Sequence, residues 1–337
     1  MVMTWKANAA IATNVAVTLD SEKLNTATFT TVIPIPTDTS VILTCNGTEV
    51  FEGMASSMTQ MSDARYDIEI TEYAKKLYNE YCFSPAVKGL FMPNIIIHNY
   101  DSNTDTKLTI GEYIHAICDS SGSGGFNHST ITLTPVDEDG INAMTEIPGM
   151  GLPLPEVTIS HQSIGTTLRK FIVDTLGLSL WYEYISATSF EVHYGTKRDT
   201  IHLNLATEFI VNNNSSEEAI KIPIIGVYIK NEDDTKHGYA GDYVTGPCIM
   251  REIEGSFSEN ELNAMASVML AEHALPRLTY DVEFLPGTIR FKECDIFDGI
   301  GDQTLDDPFK MTYKTTADPW RIKSVKITDK NTIATLW

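Results

Sequence analysis

Two stretches of the sequence, TIGEYIHAIC at residues 109–118 and SIGTTLRKFI at residues 163–172, follow the same pattern. Each begins with a hydroxyl residue before Ile-Gly, and its apolar residues then recur at intervals of four, three and one. The matching apolar residues are Ile110, Ile114, Ile117 and Cys118 in the first stretch and Ile164, Leu168, Phe171 and Ile172 in the second. This spacing aligns four side chains on one face of an α-helix, so both stretches are predicted to be helices.

Capping residues indicate where the two helices begin. Thr109 with Glu112 three residues later fits a capping box, and Ser163 is a suitable N-cap. Gly122 is expected to end the first helix, and the β-prone stretch 131–134 follows it. Gly177 is expected to end the second helix, and the β-prone stretch 178–185 follows it. The centre of the chain is therefore predicted to hold a helix–strand unit that occurs twice.

Strand signals dominate on both sides of this central region. Near the N-terminus, residues 41–45 and 49–51 flank Asn46-Gly47, the dipeptide favoured in type I′ hairpin turns. Gly53, just beyond this hairpin, is expected to mark a bend before the next strand. The N-terminal arm is thus predicted to be a small antiparallel barrel or sandwich.

The last third of the chain is also predicted to consist mainly of β-strands. Strands are predicted at residues 278–285 and 290–297, and the run NNNSS at 212–216 is expected to interrupt the extended chain. One helix begins at Ser258, where Glu261 completes a second capping box. We therefore expect a second β-rich domain that contains a single helix.

Together these signals predict a mainly β fold with α+β insertions, in which two small β-barrel domains are joined by helix–strand units. The expected divisions are an N-terminal β-barrel domain at 1–85, an α+β insertion with two helix–strand repeats and a long loop at 86–198, and a C-terminal β-barrel domain with one inserted helix at 199–337. A chain of 337 residues is long enough for several domains.

The composition is that of an acidic, folded protein. The formal net charge is −21, and 42% of the residues are hydrophobic. No apolar run approaches the roughly 18 to 20 residues that span a bilayer, and residues 1–20 are predicted as a strand rather than a signal peptide. Five scattered cysteines without a CxxC pair predict reduced, mostly buried thiols.

The net charge argues against sequence-specific nucleic-acid binding, because phosphate contacts require clustered Lys and Arg. An acidic surface does suit a passage through which DNA moves without sticking, since like charges repel. Plain solubility and a salt-rich environment would explain the same charge.

No catalytic, cofactor-binding or metal-binding residues are assigned from the sequence. The eight histidines show no HExxH or His–Cys ligand spacing, and GxSxG, Walker and SxxK motifs do not occur. One partial match is a calcium loop, with threonine where the sixth position normally requires glycine, whose candidate ligands are Asp101, Asn103, Asp105 and Glu112. Since the capping box also accounts for Glu112, the calcium site stays an open alternative.

The order of these elements resembles the tail hub, or baseplate hub, proteins of tailed phages and contractile injection systems, including the late-control D type of hub. The stretches that carry the resemblance, besides the two Ile-Gly helices, are SVILTCNGTEVFEG (40–53), RYDIEITEYAKKL (65–77), LSLWYE (178–183), FEVHY (190–194), PRLTYDVEF (276–284) and CDIF (294–297). One departure lies at 293–295, where Glu-Cys-Asp stands in place of the Gly-Asp that the family often has before a strand of its second barrel.

The resemblance implies two related β-barrels in each chain and a homotrimer whose six barrels form a pseudo-hexameric ring. Such a ring joins the tail tube to a central spike or fibre, lets DNA pass and catalyses nothing. Its implied neighbours include the distal tail protein and the tape-measure protein. The implied location is the tail tip or baseplate of a virion, after synthesis in the host cytoplasm.

Two other classes of protein fit the same sequence features. A viral adhesin or receptor-binding tail protein would also be β-rich and acidic, and real calcium sites and exposed aromatic clusters would favour it. A glycan hydrolase would require a cleft with convergent carboxylates, and no sequence feature marks such a pair. A ring with an open pore would distinguish the hub from the adhesin.

Overall fold

The computed structural model describes residues 3–79, 95–101, 106–118, 131–159, 162–203, 210–218, 224–231, 234–253, 257–273, 277–286, 291–300 and 320–336. The fold is mainly β, as predicted. Up to residue 79 the elements are β1 (Trp5–Ala7), β2 (Ala10–Asp20), β3 (Thr26–Thr31), β4 (Ser40–Cys45), β5 (Thr48–Gln60), β6 (Tyr66–Thr71) and α1 (Lys75–Asn79).

The central and C-terminal elements follow in chain order. Between residues 95 and 195 they are β7 (Ile95–Ile97), β8 (Tyr100–Asp101), β9 (Thr106–Lys107), α2 (Ile110–Cys118), β10 (Thr132–Asp137), β11 (Glu146–Ile147), β12 (Leu152–Pro153), β13 (Val157–Ile159), α3 (Ile164–Arg169) with its π-helical continuation Lys170–Thr175, β14 (Ser179–Ser186) and β15 (Ser189–Gly195). The remaining elements are β16 (Thr200–Leu203), β17 (Ile210–Glu218), β18 (Gly226–Asn231), β19 (His237–Gly241), β20 (Cys248–Ile253), α4 (Glu259–His273), β21 (Arg277–Phe284), β22 (Ile296–Ile300), β23 (Trp320–Thr328) and β24 (Thr332–Leu336).

The first six strands close into a β-barrel. Neighbouring strands pair in the order β1-β4-β5-β6-β3-β2, and β1 also pairs with β2, which completes the closure. Asn46 and Gly47 have φ angles of 51° and 85°, as the predicted type I′ turn between β4 and β5 requires. Ile68 and Ile70 alternate with polar residues along β6 and are fully buried in the barrel core.

Gly53 lies inside a strand and not at the expected bend. The strand β5 runs without a break from Thr48 to Gln60. A Cβ atom at Gly53 would lie 2.4 Å from the carbonyl oxygen of Thr71 in the neighbouring β6. The glycine is therefore required for the close approach of two backbones and not for a change of chain direction.

The C-terminal strands extend the sheet of the N-terminal barrel. Strand β2 pairs antiparallel with β23, and the order continues through β24 and β21 to β17, while β22 joins β23 to β16. Core residues from both arms form one cluster, in which Phe29 and Leu43 lie with Phe284, Ile322 and Leu336. A separate, closed second barrel stays a prediction, because the pairings of the described residues close only the first six strands.

Contacts divide the chain into two compact units that differ from the three consecutive segments expected from the sequence. Unit 1 consists of residues 1–76, 197–216 and 278–337, and unit 2 consists of residues 77–196 and 217–277. Strand pairing is the physical reason, because the first and last parts of the chain share hydrogen bonds and a core although they are distant in sequence.

Unit 2 contains the predicted helix–strand repeat. All eight matched apolar residues of α2 and α3 with its continuation are at most 4% exposed. The rings of Tyr113 and Phe171 stack at 4.9 Å, and the strands that follow the two helices, β10 and β14, lie on either side of β15 in one sheet. The structure confirms both the helical spacing and the strands expected after each helix.

Unit 2 also contains a second three-stranded sheet, which is covered by a helix. Strand β18 lies between β19 and β20, and α4 packs against β18 and β19. A Cβ atom at Gly238 would lie 2.2 Å from the backbone of Leu262, which places the helix directly on β19. The predicted helix thus packs on a sheet of three strands, and residues 217–277 are grouped with unit 2 by their contacts. The C-terminal barrel domain at 199–337 stays a prediction.

Two strand predictions in the last third were wrong. Residues 212–216 lie within β17, although their Asn and Ser content indicated a break, because β17 pairs with β21 in the large sheet. The strand predicted at 290–297 begins only at Ile296, since the preceding residues 293–294 form a turn. Among the described residues, no helix has the length and apolar content needed to cross a membrane.

Candidate functional site

The outer face of the β14–β15 hairpin carries two carboxylates beside a histidine. In the hairpin register Glu183 pairs with Glu191 and Trp181 pairs with His193. Paired residues, and residues two apart on one strand, point to the same face of a sheet, so these four side chains lie together. The intervening residues Phe190, Val192 and Tyr194 are fully buried on the opposite face.

His193 is the centre of this cluster. Its Nδ1 atom lies 2.5 Å from Oε1 of Glu138, a residue that directly follows β10. Its Nε2 atom lies 3.3 Å from Oε2 of Glu191 and 3.8 Å from Oε2 of Glu183. His193 is only 8% exposed, and Nε2 is buried without a hydrogen bond among the described residues. Three carboxylates therefore surround a single imidazole.

The cluster is both held in place and open to solvent. The indole of Trp181 stacks on the imidazole of His193, with ring centroids 5.5 Å apart and planes inclined by 13°. The side chains of Glu183 and Glu191 are 50% and 36% exposed. Oxygen atoms of these two residues and a ring nitrogen of His193 all lie within 4.8 Å of one another, a separation that could accommodate a metal ion.

The candidate calcium ligands are only partly within the described residues. Asp101 ends β8 and pairs with Thr106 of β9, whereas Asn103 and Asp105 lie outside the described residues. The Glu112 carboxylate accepts hydrogen bonds from the backbone N–H of Thr109, at 2.7 Å, and from its hydroxyl. This confirms the predicted capping box, and the calcium site stays an open alternative that no sequence assignment adopts.

A second polar cluster lies in unit 1. The Asn25 side-chain amide donates hydrogen bonds to Glu72, at 3.0 Å, and to Glu293, at 3.1 Å. Arg198 donates to the same Oε1 atom of Glu293 at 3.0 Å. These contacts bring the three chain segments of unit 1 together at one point.

Burial raises the pKa values of two carboxyl groups in this cluster. Desolvation, reinforced by the nearby Glu293 charge, raises the pKa of Glu72 to about 8, although hydrogen bonds from Asn25 oppose the shift. Desolvation also raises the pKa of Asp295 to about 6. The folded protein therefore holds protons on these groups more tightly than ordinary carboxyl groups do.

The turn at 293–295 holds a cysteine in a backbone conformation that glycine favours. Cys294 has a φ angle of 69°, in the left-handed region that glycine favours. Its backbone N–H donates to Ile322 and its carbonyl accepts from Arg198. The chain thus keeps a conformation suited to glycine with a cysteine in that place.

Unit 2 also exposes an aromatic face on the β18–β19–β20 sheet. Tyr228 pairs with Tyr239 on one side and with Met250 on the other, so the three side chains form a row. Tyr243 lies 5.1 Å from Tyr239 between ring centroids, and Tyr239 and Met250 are 54% and 71% exposed. We call these four residues the aromatic face. Exposed Tyr and Met side chains are typical of protein–protein interfaces.

Sequence reasoning missed the His193 cluster because its members come together only through the hairpin. One signal was available: Glu191 and His193 are two residues apart on a predicted strand, which places them on one face. Glu183 joins them only when the hairpin register is known, and Glu138 only when β10 pairs with β15.

Comparison with known proteins finds similarity in structure only. No protein-family model matches the chain, and no curated protein matches its sequence significantly. Among solved structures, the 43 kDa tail protein of prophage MuSo2 from Shewanella oneidensis superposes with a TM-score of 0.61 at 9% identity, covering 99% of this chain and 97% of the other. The chain has the fold of a phage tail protein.

Two further structures share this tail-protein fold. A tail protein from Neisseria meningitidis MC58 gives a TM-score of 0.57 at 12% identity, covering 99% of this chain and 95% of the other. A type VI secretion system component from E. coli, described as similar to the T4 bacteriophage tail proteins gp27 and gp5, gives 0.51 at 9% identity, covering 98% and 75%. The resemblance stated from the sequence is confirmed at the level of the fold.

Proposed function

We propose that the protein is a structural component of a virus tail or baseplate, and more specifically its hub. In this role a homotrimer forms a pseudo-hexameric ring that joins the tail tube to a central spike or fibre. Its neighbours would be the tail tube or distal tail protein, the spike or fibre, and the tape-measure protein. The ring acts in the virion, at the tail tip, after synthesis in the host cytoplasm.

The extent of the fold similarity carries this proposal. The MuSo2 and Neisseria tail proteins align over 99% of this chain, including both β-rich arms and the helix–strand units between them. The tail-protein fold therefore extends over nearly all of the given sequence.

An assembly protein also requires exposed surfaces that can pack against neighbouring subunits. The aromatic face, Tyr228, Tyr239, Tyr243 and Met250, offers apolar area on a sheet whose other side is already covered by α4. Burying such side chains against a neighbouring tail protein removes apolar surface from water, which favours association. An exposed aromatic cluster also fits the receptor-binding alternative, which would leave this face open in the assembled tail. We assign the face to subunit contact within the tail.

The net charge of −21 suits a ring through which DNA moves. A lumen lined with carboxylates repels the phosphate backbone and keeps the DNA from adhering during ejection. This part of the proposal predicts that acidic side chains line the pore.

Imaging of the assembled particle tests the hub. The full-length protein, or tails that contain it when the isolated chain is monomeric, would be examined by negative-stain electron microscopy and light scattering. A threefold ring with a pseudo-sixfold outline and a central hole is expected. A closed particle or a fibrous trimer without a pore, even in native tails, would refute the hub and favour a receptor-binding tail protein.

A pair of variants tests the interface. Tyr239→Ser combined with Met250→Lys should weaken assembly, because it removes an aromatic ring and places a charge within the proposed contact. Ile11→Lys is the control, since Ile11 is also 66% exposed but belongs to β2 of unit 1 and not to the aromatic face. Both proteins should fold normally by circular dichroism, and only the double variant should lose subunits in light scattering.

A further inference from the structure

We propose that Glu183, Glu191 and His193 bind one divalent metal ion of the zinc class on the outer face of the β14–β15 hairpin. The ligand atoms are Nε2 of His193 and one carboxylate oxygen from each glutamate, and water completes the coordination. This inference is independent of the role of the protein in a tail.

His193 has the arrangement of a metal-binding histidine. Because an ionised carboxylate only accepts, Nδ1 donates to Glu138 across the contact of 2.5 Å, and metal binding at Nε2 requires this same tautomer. Metal-bound histidines usually donate their other ring N–H to a carboxylate in this way. The Nε2 atom is buried and has no hydrogen bond among the described residues, so its lone pair is available to an ion.

The spacing of the ligand atoms already fits a small cation. Zinc binds nitrogen and oxygen at about 2.0 to 2.2 Å, and tetrahedral ligands at that distance lie about 3.3 to 3.6 Å from one another. The measured separations from Nε2 of His193 are 3.3 Å to Glu191 and 3.8 Å to Glu183. Both separations from Nε2 therefore lie within a few tenths of an ångström of the range for tetrahedral ligands, and all three ligand atoms lie within 4.8 Å of one another.

Charge gives an independent reason for a cation. Glu138, Glu183 and Glu191 surround one imidazole, and the sequences of β10, β14 and β15 contain no Lys or Arg that could offset them. Carboxylates held this close repel one another, and a divalent ion between two of them removes that repulsion. The 50% and 36% exposure of Glu183 and Glu191 leaves an ion a path from solvent.

The donor set selects the type of ion. Imidazole nitrogen with two carboxylates suits zinc and other first-row divalent metals, whereas calcium and magnesium prefer sites built from oxygen alone. Zn²⁺ should therefore bind in preference to Ca²⁺.

The test is titration of the untagged full-length protein with ZnCl₂, followed by calorimetry and thermal unfolding. One equivalent should bind saturably, and Tm should rise by about 5 to 10 °C at a hundredfold excess over Kd. Calcium chloride at the same concentration should leave Tm unchanged. A Tm that does not respond to zinc, or that responds equally to calcium, overturns the proposal.

Variants locate the ion. Combining Glu183→Gln with Glu191→Gln keeps the shape of both exposed side chains and should lower zinc affinity at least a hundredfold. Glu138→Gln should lower it about 10- to 100-fold, because Glu138 orients the histidine without touching the metal. His98→Gln is the matched control: His98 lies 3.1 Å from Glu156 but is 62% exposed. Zinc binding that survives the double variant, or is lost in the control, refutes this site.

A spectroscopic readout separates binding from a general effect on folding. Co²⁺ quenches nearby indole fluorescence, and Trp181 stacks directly on His193. We expect Co²⁺ to quench the fluorescence of the parent protein saturably. In Trp181→Phe this quenching should disappear although calorimetry still detects binding, which would place the ion at the hairpin. Quenching that persists unchanged in Trp181→Phe places the ion elsewhere and contradicts the assignment.

Discussion

Arg198 and Glu293 form an ion pair, 3.0 Å between Nη1 and Oε1, whose side chains are only 17% and 8% exposed. The pair joins the segment before β16 to the turn before β22, and the Asn25 amide binds the same carboxylate from the N-terminal barrel. One carboxylate thus connects the three chain segments of unit 1.

Removing the arginine should destabilise unit 1 strongly. In Arg198→Met the Glu293 carboxylate stays buried without its cation, which typically costs about 3 kcal/mol. The measurement is urea-induced unfolding of the full chain. Arg65→Met is the control, because Arg65 and Asp63 form an exposed pair that should contribute nothing measurable. Equal effects of the two substitutions would contradict the prediction.

Stability should fall as pH rises from about 4.5 to 8. Burial raises the pKa of Glu72 from its ordinary value of 4.5 to about 8 in the folded protein, so the folded state binds this proton more tightly than the unfolded state. That contribution is complete below pH 4.5 and is lost as pH passes 8, amounting to at most about 5 kcal/mol. Asp295, with its pKa raised to about 6, acts in the same direction over a lower range.

The pH effect is checked by unfolding the parent and Glu72→Gln between pH 4.5 and 8.5. The variant should lose most of the decline, whatever its absolute stability, because it has no proton to release at this position. Glu49→Gln, an exposed carboxylate of the same barrel, should keep the decline of the parent. An unchanged slope in Glu72→Gln would rule out Glu72 as its source.

Gly53→Ala should destabilise the N-terminal barrel by about 2 to 3 kcal/mol, because the added carbon meets the backbone of Thr71 and not a flexible side chain. Gly47→Ala measures the effect of backbone strain without a steric clash, because Gly47 has a φ of 85° but open space around it. We expect this substitution to lower the free energy of unfolding by about 1 kcal/mol. Chemical denaturation of both variants gives the comparison. A smaller loss for Gly53→Ala than for Gly47→Ala would show that the strands can move apart.

Cys294→Gly should be more stable than Cys294→Ala by about 1 kcal/mol. Both substitutions remove the buried thiol, but only glycine relieves the left-handed backbone conformation. Thermal unfolding of the two variants under reducing conditions measures the difference directly. If the alanine variant is equally stable, the turn at 293–295 carries no strain.

The local parts of the fold could be predicted from the sequence. The spacing of Ile110, Ile114 and Ile117 and the capping boxes at Thr109 and Ser258 depend on residues within two helical turns, and the structure confirms all of them. The type I′ turn at Asn46-Gly47 is local in the same sense. Short-range chemistry is sufficient for such features.

The features that depend on strand pairing could not be predicted. Residues 212–216 become a strand because β21 supplies hydrogen-bond partners, and their polar side chains do not reveal this. Glu183 meets His193 only through the hairpin register, and Glu138 only through the parallel pairing of β10 with β15. The division into two units likewise depends on contacts between the two arms.

The pairing of β2 with β23 has a consequence for how the protein is made. Residues 16–20 hydrogen-bond to residues 324–328, so the ribosome must synthesise nearly the whole described chain before this edge of the barrel finds its partner. Contacts of such long range slow folding, and the waiting strand is a template for pairing with other chains. A chain that lacks β23 would keep that edge open, and chaperones and proteases are expected to act on such a product.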